Sequence, residues 1–228
     1  MRRHCWTVVA LLLLPLALPA AAATAPQWRA GQNYFVIDPP VPTSVPAGKI
    51  EVTEVFSYAC PACNQFYPVA DRLRESLPPN AVMDYVSAAF NPSEDWPVFQ
   101  RAYYTAKALG VAAKTHDLMF DAVWKSRQLA VYDQSGEHLK SPLPTIEDVA
   151  EFYQRRAGIS KARFLAAANS FAVNLDMRRA DAYITSAQVD ETPTLIVDGK
   201  YRLTVPSAGG YNQTIELVKW LVAKASHH

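Results

Sequence analysis

A mixed α/β sheet interrupted by a block of helices is the fold class this sequence predicts, and three patterns predict it. Two β-branched segments, 49–57 and 82–90, bracket a stretch with helical spacing. From about Trp96 to about Ala187 the apolar residues recur almost wholly with the helical period. Strand patterning then returns over 194–204, and a last amphipathic helix follows.

The chain opens on an export signal. Arg2 and Arg3 form a positive start, Val8 to Leu18 is an almost unbroken apolar run, and Pro19 to Ala23 is a small-residue cleavage region. The run is too short to span a bilayer comfortably, so residues 1–23 read as a removable signal peptide rather than an anchor. The arginines lack the rest of a twin-arginine signal, which points to general secretion.

A short lead, Thr24 to Gly48, comes next. Tyr34 to Ile37 can form an edge strand, and Pro39, Pro40, Pro42 and Pro46 predict an extended surface segment after it. Lys49 to Ser57 alternates as a strand should, with Ile50, Val52 and the polar Glu54 on one face. Phe66, Val69, Ala70 and Leu73 then recur at helical spacing as far as Leu77, where Pro78-Pro79-Asn80 stops the helix. Val82 to Phe90 completes a strand–helix–strand unit with a right-handed parallel crossover.

Five helical stripes follow. They are Val98-Phe99-Ala102-Tyr103-Ala106-Leu109, the Leu118–Val123 group, Ile146 to Arg156 ending at Gly158, a helix capped by Ser160 that carries Phe164 and Leu165, and Val173 to Ala187. Such stripes are core before they are binding surface. Thr194 to Val197 is a strand, Asp198-Gly199 signals a type I′ hairpin turn, and Tyr201 to Thr204 is its partner. A closing helix runs from about Asn212 to Ala223.

Composition narrows the function. Of 228 residues, 50% are hydrophobic and 19% charged, an ordinary globular balance. The formal net charge of +1 gives no bulk case for nucleic acid or an anionic membrane as partner. Of 3 cysteines, Cys5 leaves with the signal, so the exported chain keeps only Cys60 and Cys63. A pair two residues apart closes too small a loop to stabilise a fold.

In Cys60-Pro61-Ala62-Cys63 the first cysteine stands where a strand ends and a helix begins. The first-turn amides of a helix have no partner, and the macrodipole adds partial positive charge there. A Cys60 thiolate is therefore stabilised and its pKa lowered. Pro61 suits the first helical position. Cys60, the more exposed, would form the mixed disulfide with a substrate, and Cys63, one turn further in, would be the leaving and resolving sulfur. Zinc would need two more ligands, and the histidines form no paired motif; a c-type haem needs His where Asn64 stands. No metal and no cofactor beyond the Cys60–Cys63 disulfide is expected.

At these residues the sequence resembles the thioredoxin superfamily, and more closely the DsbA family of periplasmic dithiol oxidases. The resemblance spans Glu51 to Cys63, the helical block, Glu191 to Tyr201 and the closing helix. It implies a thioredoxin-like domain made of residues 24–95 and 188–228, with 96–187 as a helical insertion. Pro193 after Thr192 reads from the residues alone as a trans proline starting a strand. The resemblance implies a cis bond facing the cysteines, with the Thr192 backbone open to strand-like pairing with substrate. Pro61, Ala62, Thr192 and Pro193 are thus candidate substrate contacts. Glu54 reads alone as an edge-strand glutamate; the resemblance implies a buried acid that takes the proton of Cys63. Ala62 departs from the best-known members, which have His there. Without a histidinium the helix amides are left to carry more of the thiolate's stabilisation, and the oxidant is expected to be milder.

The implied function is a protein dithiol–disulfide oxidoreductase in the periplasm. Its partners would be reduced, unfolded exported proteins and a membrane reoxidising protein of the DsbB type, and it would work as a monomer. An isomerase or reductase of the same fold is the nearest alternative, although the short lead leaves no room for a dimerisation domain. A client-holding periplasmic chaperone or binding protein is the alternative from another class.

Overall fold

The computed structural model describes residues 28–226, so the signal-peptide reading of 1–23 and the tail His227-His228 lie outside the described residues. The short strand β1 (Phe35–Val36) leads to β2 (Ile50–Phe56), helix α1 (Pro61–Ser76) and β3 (Ala81–Ser87). Helices α2 (Trp96–Ala108), α3 (Ala112–Phe120), α4 (Ile146–Ala157), α5 (Lys161–Ala168) and α6 (Phe171–Ser186) form the helical block. Strands β4 (Thr194–Val197) and β5 (Tyr201–Thr204), the one-turn helix α7 (Val205–Ala208) and α8 (Tyr211–Ala225) close the chain.

The five strands make one sheet in the order β1-β5-β4-β2-β3, in which only β2 and β3 run parallel. The crossover through α1 is what permits that parallel pair. Each face of the sheet has its own core. On one, Val52, Leu195 and Leu203 meet Phe66 and Leu73 of α1 and Leu217 and Leu221 of α8. On the other, Val55 and Ile196 meet the helical block, and Phe56 at the end of β2 joins the same cluster with Phe99, Phe120 and Phe164. Full burial of such a side chain is worth roughly 1.5–3 kcal/mol, so both layers hold the sheet that ends at the cysteines. This is the mixed sheet with a helical insertion that the sequence pattern predicts, in the thioredoxin-like form that the resemblance implies.

The β4–β5 turn is built from left-handed residues, Asp198 at φ 55° and Gly199 at φ 62°. A Cβ on Gly199 would stand 2.0 Å from the Val41 carbonyl oxygen, so only glycine fits. That contact corrects one expectation. The proline-rich lead is not simply a surface segment: Ile37 and Val41 are buried, and their amides donate to the carbonyls of Lys200 and Gly199 at 2.8 and 3.0 Å. Prolines forbid regular structure but not docking of the apolar residues between them.

A second correction concerns the helical block. It is not helical over 126–145. After a π-type turn at Asp121–Lys125 the chain makes a loop with a single bridge between Tyr132 and Leu139. The Asp133 carboxylate accepts from the amides of Ser135 and Gly136, which fixes a turn, and Pro142 and Pro144 offer no amide to a helix. Leu129 and Val131 are buried and pin the loop. The helix α7, capped by Thr204, is too short for periodicity to reveal.

Candidate active site

Strand β2 delivers the chain to the cysteines, and the turn between is tightly held. The Cys60 amide donates to the Ser57 carbonyl at 3.2 Å, and the Ala59 amide to the Ser57 hydroxyl at 3.3 Å. Cys60 is the N-cap of α1 and Pro61 its first helical residue. The Cys60 sulfur accepts from the Cys63 amide at 3.3 Å, the place an N-cap side-chain oxygen would occupy. Both cysteines are in the dithiol form. Cys60 is 5% exposed and Cys63 fully buried, so the N-cap sulfur is the accessible one.

The two thiols are driven in opposite directions. Cys60 is lowered to about 6, chiefly because the Cys63 thiol donates to it; burial opposes this, and the Thr192 side chain and the amides of Cys63 and Ala62 add to the lowering. Cys63 is raised well above the ordinary thiol value by burial, by its bond to Cys60 and by the charges of Cys60 and Glu54. The expected share of the helix amides is thereby corrected: the partner thiol comes first, because a buried S–H aimed at an anion outweighs amides that also serve the helix. Trapping of the reduced protein with iodoacetamide should therefore label Cys60 at a rate that rises with pH around a midpoint near 6, with Cys63 unlabelled; a midpoint in the free-thiol range near 8.5 contradicts the geometry.

Thr192 and Pro193 come to the same point from the other side of the sheet. Their peptide bond is cis, and the Thr192 carbonyl oxygen lies 3.5 Å from the Cys60 sulfur. Strand β4 begins only at Thr194, so Thr192 stands outside the ladder. Its hydroxyl is buried with no oxygen or nitrogen partner among the described residues. Pro61 and Ala62 are exposed beside it. Glu54, two residues before β2 ends at Phe56, is 1% exposed, and its Oε2 has no partner among the described residues. Burial first, then the charges of Cys60 and Asp71, push its pKa up to about 8. An edge-strand glutamate in water is excluded.

Sequence reasoning missed the residues of the helical block that brace this turn. Trp124 Nε1 donates to the Tyr58 carbonyl at 2.8 Å, and the Tyr58 hydroxyl lies 3.1 Å from His116 Nδ1. Tyr132 is tilted against Trp124 with ring centroids 6.2 Å apart, and burial and Glu94 raise its pKa to about 12. Their sequence separations from Cys60 hide them, and no spacing rule joins them to the turn. A cavity of about 720 Å³ lies elsewhere, between the lead, β3, α2 and α6, and contains neither cysteine.

A thioredoxin family model matches residues 45–216. The thiol:disulfide interchange protein DsbA of Pseudomonas aeruginosa is 35% identical over 95% of both chains. That of Azotobacter vinelandii is 33% identical over 92% of this chain and 90% of its own. Among solved structures, P. aeruginosa DsbA superposes with a TM-score of 0.73 at 34% identity, covering 87% of this chain and 94% of that one. The oxidoreductase DsbA of Xylella fastidiosa gives 0.74 at 28% identity, covering 86% and 96%.

Proposed function

The chain belongs to the DsbA family within the thioredoxin superfamily and is a thiol:disulfide oxidoreductase, and we propose that Cys60 and Cys63 are the pair that exchanges, donating their disulfide to reduced, unfolded exported proteins. The observation that carries this reading is the Cys60 sulfur at the N-cap of α1, 3.3 Å from the Cys63 amide and 3.5 Å from the Thr192 carbonyl oxygen, and the two thiols are driven in opposite directions there. A client thiolate attacks the Cys60 sulfur of the oxidised pair. The bond to Cys63 breaks and its electron pair leaves on Cys63, which takes a proton from Glu54. A second client thiolate then attacks the client's own sulfur in the mixed disulfide, and Cys60 departs as the anion its surroundings favour. The client loses two electrons and releases two protons to solvent; Cys63 holds the proton that Glu54 gave, and Glu54 takes it back when Cys63 is next oxidised.

Thr192, outside the ladder and next to the reacting sulfur, offers a backbone against which an extended client can lie, flanked by Pro193, Pro61 and Ala62. The redox group is the disulfide itself. Regeneration falls to a membrane electron acceptor of the DsbB type, and the export signal read at residues 1–23 directs this chain to the periplasm, where the two would meet.

The test uses the oxidised chain without its signal and a reduced, denatured client containing two cysteines. One disulfide should appear in the client for each pair reduced, and replacing both Cys60 and Cys63 by Ser should abolish transfer. Undiminished protection of the client by the double variant, with no thiol consumed by the parent, would instead mark a holding chaperone.

A further inference from the structure

Cys60 is delivered by a four-residue turn, Ser57 to Cys60, closed by the Cys60 amide on the Ser57 carbonyl at 3.2 Å. The central peptide of that turn joins Tyr58 to Ala59, and it is bonded at both ends. The Ala59 amide donates to the Ser57 hydroxyl at 3.3 Å, and the Tyr58 carbonyl accepts from Trp124 Nε1 at 2.8 Å. The first bond is local. The second comes from the helical block, 66 positions along the chain.

Trp124 lies in the π-type turn that ends α3, a distortion that frequently marks functional sites. It is half-buried, with its ring tilted against Tyr132 of the loop that follows. The Tyr58 side chain is itself fixed. It is fully buried, edge-on to Phe56 at 5.0 Å and to Phe120 at 5.1 Å, with its hydroxyl 3.1 Å from His116 Nδ1. Neither Tyr58 nor Ala59 has a positive φ. The flipped form of such a turn needs one at its third residue, which the Cβ of Ala59 disfavours. Rocking of the peptide, rather than a flip, is the freedom left, and Trp124 Nε1 and Ser57 Oγ remove it. Cys60 follows directly. Its N-cap backbone, at φ −78° and ψ 120°, sets the sulfur 3.3 Å from the Cys63 amide and 3.5 Å from the Thr192 carbonyl oxygen.

We propose that Trp124 is a positioning residue for Cys60, which by fixing the Tyr58 carbonyl keeps the sulfur on the opening of α1. The helical block, and not the sheet alone, then holds the reacting atom in place. This rests on the reading of Cys60 as the exchanging sulfur. Trp124 acts through Tyr58 and changes no step of the exchange. A displacement of about 1 Å is enough to take the sulfur off the Cys63 amide and to slow the reaction.

The test is Trp124→Phe, which keeps an aromatic ring and removes the donor, beside Ser57→Ala, which releases the other end of the same peptide, and the double variant. Each is followed by the pH midpoint of Cys60 labelling with iodoacetamide, by the equilibrium constant for oxidising glutathione at pH 8, by hydrogen exchange at the Ala59 amide and by urea unfolding. Trp124→Phe should raise the labelling midpoint by about one unit from its place near 6, lower the equilibrium constant about tenfold and speed exchange at Ala59. Because both bonds restrain one group, the double variant should shift the midpoint by less than the sum of the single shifts. Lower resistance to urea with the midpoint and equilibrium constant unmoved would show a packing role and overturn the proposal. Strictly additive shifts would overturn it too, since they belong to two independent sites. Should Trp124→Phe fail to fold, Ser57→Ala decides alone: an unmoved midpoint there means that this peptide does not set the sulfur. If the parent protein itself labels Cys60 in the free-thiol range and oxidises no glutathione, the reading of Cys60 fails and the role of Trp124 falls with it.

Discussion

Replacing Glu54 by Gln should reverse its effect on the stability of the reduced protein between pH 4 and pH 8, a swing of about 4 kcal/mol. The carboxyl titrates near 8 in the fold against 4.5 as its model value. Below the lower value both states hold the proton and folding is indifferent to it. Between the two, the unfolded chain has released its proton and the folded chain has not. Stability therefore declines with rising pH by up to about 1.4 kcal/mol per unit and levels off above the upper value. Gln has no proton to lose and escapes this cost. It brings its own, because a buried amide in the place of Oε2 must find acceptors, worth about 1–3 kcal/mol if it fails. The variant should thus be less stable than the parent by about 1–3 kcal/mol at pH 4 and more stable by a similar amount at pH 8. Cys60 contributes with the opposite sign: its lowered value adds stability that is complete above the free-thiol range and is lost as pH falls through about 6. Both proteins share that contribution, so it largely cancels in the difference. Urea unfolding under reducing conditions at the two pH values measures the swing, and a difference that does not change with pH would mean that the carboxyl ionises normally.

Such a site is only partly legible in the sequence, and the division has physical causes. The strand, the Cys60-Pro61-Ala62-Cys63 turn and the helix after it are written in local rules: alternation, a proline at the first helical position, apolar residues at helical spacing. The same is true of the Asp198-Gly199 turn and of the Ser160 and Gly158 caps, which the structure shows with a bond from the Arg163 amide to the Ser160 hydroxyl and with Gly158 at φ 71°. The environment of Glu54 is not local. Its burial depends on α1 and β3 closing over it, and the residues alone leave an exposed glutamate equally open. Pro193 is similar, since nothing beside it in the chain selects the cis bond. The braces Trp124 and His116 reach Tyr58 from 66 and 58 positions away, a distance no spacing rule covers. The loop over 126–145 sits between helical stripes and carries none of its own: Leu129 and Val131 are anchored singly, beside a carboxylate-centred turn and two prolines.

Ala62 is where this chain leaves the DsbA pattern, and Ala62→His should raise the reduction potential by about 30 mV for each unit by which it lowers the Cys60 pKa. The size follows from where pH 7 lies. Lowering Cys60 from the ordinary value of 9.0 to about 6 is a large shift, yet most of it is spent below the point where the thiolate forms at pH 7. Only the last unit acts, worth about 1.4 kcal/mol, or about 30 mV for a two-electron couple. Any further lowering starts from a sulfur already ionised at pH 7 and passes in full to the stability of the reduced form, hence to the oxidising power of the disulfide. Residue 62 is exposed, and its amide already favours the thiolate. A histidinium added there would act through solvent, so one to two units is the expected lowering, or about 30–60 mV, shrinking in high salt. Measuring potential and iodoacetamide midpoint on the same samples separates the two links. If the midpoint falls and the potential does not follow, thiolate stability does not set the redox poise of this pair. If neither moves, the Cys63 thiol and the helix opening already hold the anion as firmly as this site allows, and the absence of histidine costs the protein no oxidising power.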